Sequence, residues 1–237
     1  MSEKRIDGSS TTVLYGQADE ISWIQRCLLL LNTFYYQILA IVTMVMFWIF
    51  FETYALDATR LWHLVLTTAA YVPLMAAAII LFSEDNITTI HISRTKRYTI
   101  HGVLLFISCL AVTAGISIET DAKRRLGRTH FQSNHAILGL VSWILMFLSV
   151  LIGLMAANTR TFSSYIKPVV IKLVHNFLGL AAFAIGIGSL FEMLTFFERN
   201  SSQTVYDGIY VALVFVAIWS GLAALKSLYG QIKSVFF

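Results

Sequence analysis

Four regularly spaced histidines are the residues of this chain best suited to chemistry. His63, His101, His135 and His175 are separated by 38, 34 and 40 residues, and each lies near the start of a different apolar segment. A spacing of about one membrane helix plus one loop places successive histidines at opposite ends of successive antiparallel helices. We therefore expect His63 and His135 to share one membrane face, and His101 and His175 to share the other.

Two imidazoles at each face are suited to bind a haem iron. A haem supplies four equatorial nitrogens, so a facing pair of neutral imidazoles completes six-coordination and favours electron transfer over oxygen chemistry. Zinc is a poorer match, because two ligands per face fall short of a tetrahedral set. A haem-free alternative is a transporter that uses the histidines as a proton relay, although the central bundle positions supply no acidic residue to alternate with them.

The segments that must position these histidines are long and apolar. Hydrophobic residues make up 57% of the 237 residues and charged residues only 13%, and the mean hydropathy is +0.73. Apolar stretches of about 18 or more residues predict membrane-spanning helices, and they occur at 28–51, 61–82, 99–118, 136–157, 168–190 and 206–228. We predict an all-α membrane protein with six spans, in which the second to fifth form a central four-helix bundle that holds two haems.

The distribution of positive charge predicts how these spans are oriented in the lipid bilayer. We divide the chain into an N-terminal segment at 1–27, a six-helix domain at 28–230 and a C-terminal tail at 231–237. Lys and Arg are more numerous on the side that holds both ends of the chain, so the positive-inside rule places both ends in the cytoplasm. Four basic residues oppose this trend and are assigned to the third loop: Lys123, Arg124, Arg125 and Arg128.

A local repeat indicates that two of the histidines point into the bundle. His135 and His175 each begin the pattern H-x-x-x-G-L, so that Gly139 and Gly179 follow four residues later. This spacing places the glycine beside the histidine on the same helix face. The missing side chain leaves room either for a large flat group or for a close helix neighbour.

Other runs accompany the histidines. They are SRTKRYTIH at 93–101, KLVH at 172–175, and His130 with Phe131 shortly before the third histidine. Together with the histidine spacing, these runs resemble the cytochrome b561 family of six-helix, di-haem transmembrane reductases, and the resemblance extends from about 28 to 230.

The resemblance implies a function for both pairs of histidines. His101 and His175 would bind the iron of a cytoplasmic haem b, and His63 and His135 that of a lumenal one. One electron would pass from cytoplasmic ascorbate to monodehydroascorbate radical or an Fe(III) chelate on the other side. The resemblance also implies an endoplasmic reticulum or vesicle membrane, leaves homodimerisation open and gives no role to nucleic acid. In a second reading, the same two haems belong to a membrane anchor that serves a soluble redox partner and does not react with ascorbate.

Residues near the histidines are candidates for substrate binding on this reading. Ascorbate is a monoanion, and four basic residues lie within about two turns of a cytoplasmic histidine: Arg94, Lys96, Arg97 and Lys172. Ordinary flanking charges of a membrane helix would explain them equally well. On the other side the candidates are His130 and Phe131, and the basic cluster at 123–128 would gather an anionic acceptor or face anionic lipid.

Overall fold

The computed structural model describes residues 22–236, except 84, 85, 87, 88 and 90 and the side chain of Gln25. Among the described residues, six helices are long and apolar enough to cross a membrane, which confirms the predicted all-α membrane fold. They are α1 (Trp23–Thr53), α2 (Thr59–Ile80), α3 (Arg94–Arg125), α4 (Asn134–Ala157), α5 (Pro168–Glu192) and α6 (Gln203–Phe236). Two short helices, Thr159–Phe162 and Leu194–Asn200, lie in the connections before and after α5.

The outermost helices extend beyond the apolar stretches that predict them. Helix α1 begins at Trp23, inside the predicted N-terminal segment 1–27, whose residues 1–21 lie outside the described part of the chain. Helix α6 continues to Phe236 and so takes in most of the predicted tail at 231–237. We call the face at which α1 begins and α6 ends the terminal face, and the other the opposite face.

Both ends of α3 carry basic residues that lie outside the predicted span. The hydroxyl of Ser93 caps the helix by accepting a hydrogen bond of 3.4 Å from the backbone N–H of Lys96, so the basic run at 94–97 forms the first turn. At the other end the helix continues through residues 123–125, and their assignment to the third loop is wrong. Basic residues stabilise a helix C-terminus because they oppose the negative end of its dipole.

Helix α2 is irregular near its middle. It consists of an α-helical part, Thr59–Ala69, a π-helical part, Ala70–Met75, and a second α-helical part, Ala76–Ile80. The irregularity surrounds Pro73. A proline has no N–H and its ring crowds the carbonyl of the preceding turn, so a widened turn accommodates it within a continuous span.

Helices α1 and α6 lie against each other outside the histidine-bearing helices. The hydroxyl of Tyr35 in α1 lies 2.7 Å from that of Ser220 in α6, and this hydrogen bond is buried. Nearby, the indole N–H of Trp219 donates to the side-chain oxygen of Asn32 at 3.0 Å. Polar contacts between spans are favourable because the surrounding lipid offers no alternative partner.

Candidate functional site

The structure brings the four histidines together as two pairs, one at each face. At the opposite face, the ring centroids of His63 and His135 are 6.1 Å apart and the rings are nearly perpendicular, at 89°. At the terminal face, the centroids of His101 and His175 are 6.0 Å apart and the rings lie at 80°. All four side chains are partly buried.

Each separation suits two imidazoles that share one metal ion. With a metal–nitrogen distance of ~2.0–2.1 Å, and a ring nitrogen about 1.1 Å from its centroid, two ligands in line place their centroids ~6.3 Å apart. Within the described residues, no group of three or more His, Cys, Asp or Glu side chains is placed to hold a metal ion. Each pair therefore matches the two axial positions of a haem iron better than a four-ligand zinc site.

Each histidine is oriented by a hydrogen bond from Nδ1 to a backbone carbonyl of a neighbouring helix. The acceptors are Gly115 for His63 (3.0 Å), Ala78 for His101 (2.9 Å), Ser189 for His135 (2.9 Å) and Ser149 for His175 (2.9 Å). A carbonyl oxygen can only accept, so Nδ1 carries the proton in each ring. Nε2 is then the nitrogen with a lone pair for a metal, as expected for an oriented imidazole ligand.

These bonds are reciprocal within two antiparallel helix hairpins, α2–α3 and α4–α5. In α2–α3, His63 bonds to the C-terminal half of α3 while His101 bonds to the C-terminal half of α2. In α4–α5, His135 bonds to the C-terminal half of α5 while His175 bonds to the C-terminal half of α4. Each hairpin contributes one histidine to each pair, so both pairs lie between the two hairpins.

Small residues bring α4 and α5 close together at the histidines. The hydroxyl of Ser189 donates to the carbonyl of His135 at 2.9 Å, and a Cβ atom at Gly139 would lie only 3.3 Å from that hydroxyl. The hydroxyl of Ser149 likewise donates to the carbonyl of His175 at 3.2 Å, and a Cβ atom at Gly179 would lie 3.2 Å from that hydroxyl. Of the two roles predicted for the repeated glycine, the structure shows the close helix neighbour at both positions, and Gly139 also lines a cavity.

Two glycines that the repeat does not single out make room at the histidines. A Cβ at Gly153 would lie 2.9 Å from Cε1 of His175, which is closer than side chains approach one another. A Cβ at Gly115 would lie 2.8 Å from Cγ2 of Thr67, and the carbonyl of this glycine is the acceptor for His63. Sequence spacing cannot reveal such glycines, because the side chains they accommodate, those of His175 and Thr67, belong to other helices.

A cavity of about 300 Å³ adjoins His63 and His135, a volume at the lower end of the range for small-molecule sites. Charged residues at the helix ends line its outer part: Arg60, Glu119, Lys123 and Glu192. None of the four forms an ion pair within the described residues. Sequence reasoning missed Arg60 and both carboxylates, which lie at this outer end and not among the central bundle positions.

His130 and Phe131 also line this cavity, so the structure brings both to the pair at the opposite face. Their ring centroids are 6.2 Å apart. Nδ1 of His130 is buried and has no hydrogen-bond partner among the described residues. Phe131 has a φ of 51°, a left-handed conformation that is costly for a residue other than glycine. An unsatisfied nitrogen and a strained backbone together are typical of a binding site.

The basic cluster at 123–128 is divided by the structure. Lys123 lines the cavity. Arg124 and Arg125 instead form ion pairs of 2.8 and 2.7 Å with Asp121, and both of these side chains are 76% exposed. Their charges are thus turned to solvent and partly neutralised, whereas Lys123 is the member of the cluster that lines the cavity.

The four basic residues predicted to bind ascorbate lie in the first turns of α3 and α5. Arg97 and Lys172 are one turn before His101 and His175 on their helices, so each pair of Cβ atoms is about 5–6 Å apart. The Nε of Arg97 donates to the carbonyl of Ile92 at 3.0 Å, which orients this guanidinium. Lys96 and Lys172 are exposed, and neither forms an ion pair among the described residues.

Aromatic rings lie beside His101 at this face. The ring of Phe82 lies 5.1 Å from that of His101 and 5.1 Å from that of Tyr98. The Nε of Arg94 donates to the hydroxyl of Tyr98 at 3.0 Å, and its guanidinium lies 5.7 Å from the centre of the same ring. Charge and aromatic surface are therefore adjacent where a small anion would approach the pair.

Residues 62–198, which include all four histidines, match a family model described as eukaryotic cytochrome b561. The chain is 28% identical over 167 residues to a Mus musculus protein named transmembrane reductase CYB561D2, covering 70% of this chain and 73% of the relative. A Bos taurus protein of the same name is 26% identical over 167 residues, with the same coverage. The Homo sapiens protein of that name is 29% identical over 131 residues, covering 54% of this chain and 58% of the relative.

Proposed function

Because this chain belongs to the eukaryotic cytochrome b561 family, we propose that it transfers electrons across a membrane through two b-type haems, one between His63 and His135 and one between His101 and His175. The observation that carries the proposal is the presence of two facing imidazole pairs at opposite ends of one bundle. A six-coordinate haem supplies reversible one-electron transfer and has no open position for oxygen.

The helices set the distance that an electron must cross. Along α4, His135 belongs to the pair at one face, and Ser149, which bonds to His175, marks the level of the other pair. The two positions are 14 residues apart, or ~21 Å at 1.5 Å per residue. This is most of a hydrocarbon core of ~30 Å.

We assign the terminal face to the cytoplasm and to the electron donor, ascorbate. Arg97 and Lys172 lie closest in sequence to the histidines and would hold the anion next to the cofactor edge. Arg94 and Lys96, in the same turn of α3, add positive charge that attracts it. A guanidinium and an ammonium both donate hydrogen bonds, which suits the oxygens of an enediolate.

We assign the opposite face to the acceptor, an anionic monodehydroascorbate radical or Fe(III) chelate. Arg60 and Lys123 supply positive charge at the outer part of the cavity, and Nδ1 of His130 is available for a hydrogen bond there. Phe131 would present its ring beside that contact. That three relatives carry the name transmembrane reductase supports reduction of an acceptor as the outcome. The membrane would be that of the endoplasmic reticulum or of vesicles.

The test is an absorption spectrum of the purified protein, first air-oxidised and then with ascorbate, together with the haem content per chain. The protein is then reconstituted in vesicles that enclose an Fe(III) chelate, and ascorbate is added outside. We expect two haems per chain, direct reduction by ascorbate and reduction of the enclosed chelate. His63→Ala should retain one ascorbate-reducible haem and lose transfer to the chelate.

The alternatives give different results. Two haems that ascorbate does not reduce would indicate a membrane anchor for a soluble redox partner. A colourless protein would reject the haem proposal and favour a proton pathway through the histidines. Loss of both haems in every single histidine variant would reject the assignment of two separate sites.

A further inference from the structure

Two sequence positions mark the midpoint between the histidine pairs. On α4, Ser142 lies seven residues after His135 and seven before Ser149, the partner of His175. On α5, Ala182 lies seven residues after His175 and seven before Ser189, whose carbonyl accepts a hydrogen bond from His135. Seven residues are two helical turns, or ~10 Å. The hydroxyl of Ser142 donates to the carbonyl of Ala182 at 2.6 Å, so the two midpoints are in contact.

The phenol of Tyr71 reaches this midpoint from α2. Its hydroxyl lies 2.6 Å from that of Ser142. Because the proton of Ser142 goes to the carbonyl of Ala182, the hydroxyl of Tyr71 is the donor in this bond. Tyr71 is 4% exposed, and its ring therefore fills the interior of the bundle between the two levels of histidines.

Independent features of the chain hold the ring there. Tyr71 lies in the π-helical part of α2 that surrounds Pro73. The hydroxyl of Ser108 on α3 donates to the carbonyl of Ala70 at 3.0 Å, which ties this irregular turn to the neighbouring helix. Gly186 on α5 provides the space for the ring, since a Cβ atom at this position would overlap the ring of Tyr71.

Tyr71 also lines the cavity next to His63 and His135. The cavity is charged at its outer end, and Tyr71 and Gly186 line it deeper in the bundle. A cofactor that occupies this cavity would therefore contact the ring of Tyr71. The other pair of histidines lies beyond that ring.

We propose that Tyr71 is a positioning residue for electron transfer between the two haem sites, and this inference rests on the proposed function. Its ring would contact the cofactor held by His63 and His135 and fills the midplane with packed atoms. Tunnelling falls off more steeply across an empty gap than through packed matter, and a void loses the contacts of its lining. The step would move one electron, oxidising one haem site and reducing the other, and Tyr71 would keep its proton throughout.

The test compares two substitutions that disturb the ring with two that leave it in place. Tyr71→Ala removes the ring, and Gly186→Ala displaces it without changing Tyr71. Tyr71→Phe keeps the ring, and Gly188→Ala is a matched control on the same helix because its added Cβ would meet nothing within 4 Å. Each variant is purified with its haems, and haem content, the EPR signals of the oxidised sites and the kinetics of reduction by ascorbate are measured.

We expect all four variants to bind two haems. Tyr71→Ala and Gly186→Ala should shift the EPR signal of the site at His63 and His135 alone and lose the rapid reduction of that site. Tyr71→Phe and Gly188→Ala should behave as the wild type, because the ring stays in place. The signals are assigned with His63→Ala and His101→Ala.

The outcomes separate this inference from the function on which it rests. If the wild-type chain binds no haem, the proposed function fails. If it binds two, and Gly186→Ala keeps both with unchanged EPR signals and unchanged reduction of the second site, the role of Tyr71 is refuted. A Tyr71→Phe variant as slow as Tyr71→Ala would also refute it, because the hydroxyl and not the ring would then be responsible.

Discussion

Gly153 offers a way to remove one haem without touching its ligands. A Cβ at this position would lie 2.9 Å from Cε1 and 3.2 Å from Nδ1 of His175, whereas ordinary contacts lie at 3.4–4 Å. In Gly153→Ala the imidazole must move by about 0.5 Å or more to reach an ordinary contact. Its Nδ1 is held at 2.9 Å from the carbonyl of Ser149, so the movement stretches or breaks that hydrogen bond.

The cost can be estimated from these two effects. Overpacking a close-packed interior costs about 1–3 kcal/mol, and losing one hydrogen bond costs about 0.5–1.5 kcal/mol. Together they amount to about 1.5–4.5 kcal/mol, which is a weakening of haem binding at His101 and His175 by about 10- to 1,600-fold. The pair at the other face does not contact Gly153 and should be unaffected.

The assay is the haem content per chain after purification, with the absorption spectrum to identify the haem that remains. We expect Gly153→Ala to fall from two haems towards one and to lose reduction by ascorbate. Gly102→Ala is the matched control, because Gly102 is next to His101 but an added Cβ there would meet nothing within 4 Å. Two haems with a wild-type spectrum in Gly153→Ala would refute the placement of His175 against α4.

Further substitutions test other parts of the site. His101→Ala should abolish reduction by ascorbate, whereas His63→Ala should leave one haem that ascorbate still reduces quickly in stopped-flow measurements. Lys172→Gln should raise the KM for ascorbate by about fivefold, corresponding to ~1 kcal/mol of attraction, with kcat little changed. Arg124→Gln, at the far face, should leave that KM unchanged, and an equal rise would mean that net charge and not position is responsible. Tyr35→Phe removes the buried bond between α1 and α6 and should lower thermal stability by about 0.5–1.5 kcal/mol, and an unchanged melting temperature would contradict this.

The sequence predicts the helices and the membrane face at which each histidine lies, because both depend on distance along the chain. A span of fixed length followed by a short loop leaves little freedom in where the next helix begins. His63 and His135 therefore come to one face and His101 and His175 to the other, as the structure shows.

Contacts between helices are less accessible from sequence, because they depend on how each helix is rotated about its axis. Gly153 and Gly186 illustrate this, since each makes room for a ring that belongs to a different helix. Nor does hydropathy mark the end of α3, because Lys and Arg are good helix formers and continue the helix beyond the apolar stretch. The sequence also does not predict that Glu119 and Glu192 line one cavity, because only the packing of α3 and α5 in the bundle brings them together.

The division of the ligands between two hairpins has a consequence for how the protein matures. Each hairpin, α2–α3 and α4–α5, supplies one imidazole to each pair, so under the proposed function neither haem would be held until both hairpins had entered the membrane. A cofactor bound afterwards at each pair would join the two hairpins at both faces of the membrane. The supply of haem would then determine the fraction of newly made chains whose two hairpins are joined by cofactor. Chains without haem would remain exposed to cellular quality control.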